Sequence, residues 1–247
     1  MKEQNQFNFV DMHCHILPAV DDGSKDMDMS LQMARIASAN GIKTIIVTPH
    51  YNAAHGSVSP DGIRKRVFLL QKKCSEEGLG ISFFPGNELF YDSSLPEKLS
   101  KGEVLTLADS RYCLVEFNPM DDYRYIFDGL RALIYEGFRP ILAHCERYAC
   151  LLKQFSLVEE ILDQRVLLQV NATSVEPKLF QPMPKFVSKL LHQEYVSFVA
   201  TDAHRAEGSR SPDVKSAVSY LKRKYDARYV RRILAENALS VIRGQDV

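Results

Sequence analysis

The sequence predicts an α/β fold in which a parallel sheet closes, or nearly closes, into a barrel. Three observations carry this expectation. Short apolar runs alternate with helix-period segments along the whole chain, the pattern of parallel strands joined by crossover helices. Seven such runs fit into 247 residues, a length that barrel folds commonly fill alone. No linker rich in Pro, Gly or Ser divides the chain and no internal repeat is visible, so residues 1–247 are expected to form a single domain.

The elements follow in order. The candidate strands are FNFVDMHCH (7–15), IKTIIVTPH (42–50), ISFFPGNEL (81–89), YCLVEF (112–117), RPILAHCE (139–146), VLLQVNAT (166–173) and VSFVATDAH (196–204). A first helix over 26–39 gathers Met29, Met33, Ile36 and Ala37 on one face, and Gly41 supplies its C-cap. Ser59 and Pro60 read as the N-cap and first-turn proline of a second helix, with Ile63, Val67, Leu70 and Cys74 on its apolar face. Residues 122–136 and 184–194 show the same period, and two helices close the C-terminus.

Composition narrows the function classes. Thirty-one basic residues balance 31 acidic ones, so no electrostatic footprint for nucleic acid or anionic lipid is present. The local basic stretch YLKRKYDARYVRR interleaves its charges with apolar residues at helical spacing and reads as a solvated helix face. Five cysteines, with no C-x-x-C pair and a polar N-terminus, point to reduced thiols and a cytoplasmic location. No apolar run approaches the roughly 18 residues that a membrane span needs.

The chemistry concentrates at the strand ends. In VDMHCHILPAVDDG, His13 and His15 are spaced i, i+2 and face the same side, close enough to share a metal ion. Later ends carry His50, Glu88, Glu116, His144, Asn171, Asp202 and His204. Five of the seven histidines therefore lie at strand ends, and the other two, His55 in a loop and His192 in a helix, read as incidental. In a parallel barrel all such ends open on one face. Imidazoles with carboxylates suit divalent ions such as Mn²⁺, Fe²⁺ or Zn²⁺. Eight such ligands are too many for one ion, so two or three ions sharing bridging carboxylates are expected, an arrangement suited to hydrolysing phosphate esters.

The motifs DMHCHILPAVDDG, TPHY, GNEL, LVEF, AHCERY and ATDAH together resemble the polymerase-and-histidinol-phosphatase (PHP) superfamily. Within it they are most similar to the bacterial capsule-locus metal-dependent protein-tyrosine phosphatases, and the likeness runs down to LAENALSVIRG. The resemblance implies a distorted seven-stranded (β/α) TIM-like barrel of PHP type with three divalent ions, usually manganese. Carried over, His13, His15, Glu88 and Asp202 would hold one ion. Glu88 would bridge to a second, completed by Glu116 and His144, and Asp22, His50 and His204 would hold the third. Arg147 would grip phosphate through its planar fork. Of Arg205 and Arg210 after DAH, Arg210 is favoured as a second phosphate contact. Asp11 is expected to orient a histidine from behind.

The function so implied is hydrolysis of phosphotyrosine by metal-activated hydroxide, as a phosphoric monoester hydrolase. The substrate would be the tyrosine-rich tail of a bacterial tyrosine kinase controlling capsule or exopolysaccharide synthesis. Phenolate, with a pKa near 10, is a fair leaving group; a water or His50 stands as candidate general acid. Cys14 and Cys145 adjoin ligands, but no cysteine has an arginine six positions later, so they read as packing residues. The alternatives are a histidinol-phosphate-type small-molecule phosphatase, a PHP nuclease, disfavoured by the zero net charge, and a non-catalytic metal-binding regulator.

Overall fold

A computed structural model describes residues 9–54, 57–176 and 182–247, with the side chains of Pro182 and Pro184 excepted. Its strands are β1 (Phe9–Cys14), β2 (Ile42–Val47), β3 (His50–Tyr51), β4 (Ser82–Phe84), β5 (Glu88–Phe90), β6 (Tyr112–Glu116), β7 (Arg139–Leu142), β8 (Leu167–Asn171) and β9 (Phe198–Ala200). Between them run α1 (Met27–Ala39), α2 (Pro60–Glu76), α3 (Leu95–Ser100), α4 (Tyr123–Tyr135), α5 (Ala149–Lys153), α6 (Ser156–Asp163) and α7 (Pro182–His192). The chain closes with α8 (Lys215–Lys224), then α9 (Ala227–Arg231) and α10 (Asn237–Ile242), which flank a π-helical turn over Arg232–Glu236. Residues 7 and 8 of the first expected strand, and His55, lie outside the described residues.

Among the described residues every strand pairing is parallel. The result is an α/β fold with a parallel-strand half-barrel: one sheet runs β1-β2-β4 and the other β3-β5-β6-β7-β8-β9. Two of the expected strands are each split, and both breaks contain a proline, Pro49 and Pro85, whose missing N–H cannot join a ladder. Neighbouring groups satisfy the broken backbone. Thr48 exchanges hydrogen bonds with Cys14, and Asn87 Nδ2 donates to Pro49 O at 2.9 Å. The first strand also meets the last: Cys14 bridges Ala203, His15 N donates to Ala203 O at 2.8 Å, and Asp202 N donates to His13 O at 2.9 Å.

The helix signals act locally as the residue types dictate. Asp26 caps α1 by accepting from Met29 N at 2.8 Å, and Gly41 behind α1 adopts φ +81°. Ser59 caps α2, and Ile63, Val67, Leu70 and Cys74 are the residues that α2 buries. The short α3, α5 and α6 carry too few turns to show a period and go unread in the sequence.

Period-two alternation divides the core. A smaller apolar cluster contains Met12, Tyr112, Leu114, Ile141, Phe198 and Ala200, and α10 adds Ala238 and Val241. A larger one holds the opposite strand faces, such as Cys113 and Val115, with the helix residues Ile126 and Leu130 against them. Two residues further along the strand faces of the smaller cluster come Glu116 after Leu114 and Asp202 after Ala200. That apolar plug is the floor on which the polar residues stand.

Candidate metal centre

The loop after β1 is held tightly around its histidines. Ser24 N donates to His15 O at 3.0 Å, and Ala19, at φ +52°, donates its N–H to Ser24 O at 2.8 Å. Asp21 accepts from Gly23 N through one oxygen, and through the other from His15 Nδ1 at 2.7 Å and His50 N at 2.9 Å. A Cβ on Gly23 would fall 2.2 Å from His15 O, so only glycine fits there. On the far side, His144 follows β7 in the left-handed region at φ +32°, and Asp202 follows β9 at φ +51°. Such backbone costs free energy and persists where the surroundings enforce it, commonly at functional positions.

Glu88 is the hub. Its Oε2 lies 3.2 Å from His13 Nε2, 3.1 Å from His15 Nε2 and 3.1 Å from His50 Nδ1, while Oε1 lies 2.9 Å from His144 Nε2. Glu116 approaches His144 at 3.5 Å and His50 at 3.7 Å. Asp202 Oδ1 stands 3.5 Å from His13 and 3.6 Å from His15. Asp22 Oδ1 stands 3.4 Å from His50 and 3.3 Å from His204. All nine residues expected as ligands are thus brought together. Among the described residues three subsets have donor atoms close enough to share an ion: His13, His15 and Glu88; His50, Glu88 and Glu116; and His15, Asp22, His50 and His204. None of the three coincides with the expected division: the first lacks Asp202, the second has His50 in place of His144, and the third adds His15.

The donor set fits a cation. His13 Nδ1 donates to Gln169 Oε1 at 3.1 Å and His15 Nδ1 donates to Asp21, which leaves both Nε2 lone pairs aimed at Glu88 and at each other, 3.2 Å apart. Acceptors facing acceptors in a buried pocket repel unless positive charge lies between them. Glu88 Oε2 is buried there without a hydrogen-bond donor. Without a metal, protons must do the neutralising. Burial opposes charge on His15, but the hydrogen bond to Asp21 and the negative charge of the neighbouring Asp21 and Glu88 carboxylates push it up to about 10. Burial and the neighbouring Glu88 charge raise Glu116 to about 8.

Among the described residues two arginines reach this cluster. Arg147, in the 3₁₀ turn Cys145–Arg147, donates from Nη2 to Asp202 Oδ2 at 2.6 Å and remains 36% exposed. Arg210 Nη2 lies 2.6 Å from His204 Nε2 and Nη1 lies 3.7 Å from Asp22. Because guanidinium only donates, His204 accepts at Nε2 and carries its proton on Nδ1, which donates to Asp202 O at 2.9 Å. Arg205 is exposed.

Three residues take roles that differ from, or go beyond, what the sequence suggests. Asp11 touches no imidazole: it accepts from Thr201 Oγ1 at 2.5 Å, Thr201 N at 3.0 Å and the backbone of His13. It ties β1 to the chain after β9 instead of orienting a ring. The groups behind the rings are Asp21 and Gln169. The sequence signals were the paired acids of VDDG, and the placement of Gln169 two residues before Asn171 on one strand face. Asn171 accepts from Gln169 and donates to Asp202 at 2.9 Å, completing a chain from His13 to Arg147. Cys14 and Cys145 are buried in the larger apolar cluster, and burial pushes both thiols well above their usual range. His192, at the end of α7, donates to Ser188 O. Beside the cluster opens a cavity of about 410 Å³ lined by Val20, Asp22, His50, Asn52, Phe90 and Glu116.

Comparison with known proteins agrees with this geometry. The family model for capsular polysaccharide synthesis, CpsB/CapC, matches residues 9–243. Tyrosine-protein phosphatase YwqE of Bacillus subtilis is 31% identical over 96% of this chain and 93% of its own length. Tyrosine-protein phosphatase CpsB of Streptococcus pneumoniae is 31% identical over 96% of this chain and 99% of its own. A chain from the solved structures of YwqE and CpsB, described as unique metal-dependent tyrosine phosphatases, superposes with a TM-score of 0.89 at 31% identity, covering 96% of both chains.

Proposed function

Since the chain belongs to the CpsB/CapC family of capsular polysaccharide synthesis, we propose that it is a metal-dependent protein-tyrosine phosphatase, a phosphoric monoester hydrolase. The observation that carries this reading is the crowd of imidazole nitrogens around the donor-less Glu88 Oε2, with two arginines at its rim. We assign three ions, manganese first among candidates, to His13, His15, Glu88 and Asp202; to Glu88, Glu116 and His144; and to Asp22, His50 and His204. Bound divalent ions supply Lewis-acid polarisation of phosphate oxygens and an acidified water near neutral pH.

The chain's own residues do the rest. Arg147 and Arg210 flank the cluster and would take the outer phosphate oxygens, with Asp202 holding Arg147 in place before substrate arrives. Asp21 and Gln169 fix the tautomers of His15 and His13, so that each presents Nε2. The tyrosyl oxygen leaves as a phenolate or phenol, which demands little of a general acid, a part that a water can fill.

We read the two sheets as a distorted seven-position barrel in a single domain, β2 with β3 and β4 with β5 each filling one position. The Cys14–Ala203 bridge supports closure. We take the substrate to be a phosphotyrosine protein, the tail of a bacterial tyrosine kinase, and the location to be the cytoplasm, in keeping with five free cysteines. No helix among the described residues is long and apolar enough to cross a membrane. The test is turnover of phosphotyrosine peptides against a panel of phosphorylated metabolites, histidinol phosphate included, by the metal-loaded protein. Preference for the peptides is expected; preference for a metabolite would overturn the substrate assignment.

A further inference from the structure

We infer that Phe90 and Val20 form a slot for the ring of an aryl phosphate ester, which makes Phe90 a specificity-determining residue of the site; this rests on the phosphatase reading above. Phe90 follows Glu88 by two residues on β5, so both face the same side of the strand. The ladder sets Phe90 opposite Glu116 on β6. Leu89 between them is fully buried on the other face, whereas Phe90 is half-buried in the cavity wall. Val20, also half-buried, lines the same cavity from the loop after β1.

The cavity therefore has two ends of different chemistry. Asp22, His50 and Glu116 supply the polar end, which merges with the ligand cluster. Phe90 and Val20 supply an apolar wall beside it, and packing of the core does not require an aromatic ring there. Because Phe90 pairs with Glu116 of the cluster across the β5–β6 ladder, a phosphate seated on the cluster would direct the group that it esterifies into the cavity that Phe90 and Val20 line. A flat ring gains contact on Phe90 that a short alkyl group or a hydrated sugar does not. The slot is also built in advance. Ala19 and Asp21, which flank Val20, are held by the Ala19–Ser24 and Asp21–His15 hydrogen bonds, so little ordering is left to lose on binding.

The test uses non-hydrolysable probes on the full-length, metal-loaded protein, so that affinity is read apart from turnover. Titration with benzylphosphonate and methylphosphonate should show the benzyl compound binding about three- to tenfold more tightly, the scale of one aromatic contact. Phe90→Ala should bring that ratio close to one while methylphosphonate affinity stays within about twofold, and Phe90→Tyr should restore the ratio. Equal weakening of both probes in Phe90→Ala, or an undiminished ratio, would overturn the slot. Phenyl phosphate turnover by the wild type separates the two readings: its absence alongside an intact benzyl preference sinks the phosphatase assignment and leaves the slot standing.

Discussion

Arg147 Nη2 lies 2.6 Å from Asp202 Oδ2, while Asp202 Oδ1 faces His13 and His15 at 3.5 and 3.6 Å. One carboxylate thus touches both the arginine assigned to phosphate and the histidines assigned to metal. The two functions separate by substitution. Arg147→Ala should keep the metal content of the wild type and lose about 10²–10³ in kcat/KM, the scale of one removed transition-state donor. His144→Ala should lose metal and activity together. Metal stoichiometry measured beside kinetics decides; loss of metal in Arg147→Ala would put the arginine in a structural role.

Asp21 offers a test of the groups behind the rings. It accepts from His15 Nδ1 and His50 N, so Asp21→Asn removes the charge that fixes the His15 tautomer while nearly preserving shape. Metal affinity or activity should fall roughly ten- to hundredfold, the usual range for such partners. Metal titration at fixed pH reads this directly, and wild-type affinity would show that Asp21 merely closes the loop.

Gly23→Ala addresses the loop itself. The added Cβ meets His15 O at 2.2 Å and His15 Cβ at 2.6 Å, neither of which can move without displacing the ligand. The expected cost is about 1–3 kcal/mol of stability, with weakened metal binding. A thermal melt with and without added metal shows it, and an unchanged Tm would mean that the loop yields freely.

Cys14→Ala and Cys145→Ala should each retain a sizeable fraction of kcat, since burial keeps both thiols protonated and neither faces the ligand cluster. A phosphocysteine trapped during turnover would contradict this.

Much of this site was readable because the chemistry sits at strand ends, where period two and the parallel topology dictate which side chains meet. His13 and His15, Glu116 two beyond Leu114, and Asp202 two beyond Ala200 follow that rule. What escaped the sequence depends on reach across segments. The strands over 42–51 and 82–90 break at Pro49 and Pro85, which are visible strand breakers, but the apolar runs just before them favour reading each as one continuous strand. Asp11 resembles a ligand's partner in sequence but finds Thr201, 190 residues away. Gln169 is an uncharged amide whose role appears only when β8 lies beside His13 and His144. The sharing of His15 and His50 between groups likewise follows from ring orientation and not from spacing.

The central claim is that the ions held by this cluster drive hydrolysis of phosphotyrosine. The measurement that tests it most directly is metal content per chain, determined beside phosphotyrosine-peptide turnover, before chelation, after chelation and after adding back Mn²⁺. The account predicts about three ions per chain, with activity lost as they are removed and regained as they return, in keeping with clustered-metal phosphate chemistry. Full turnover by a protein stripped of metal would contradict it.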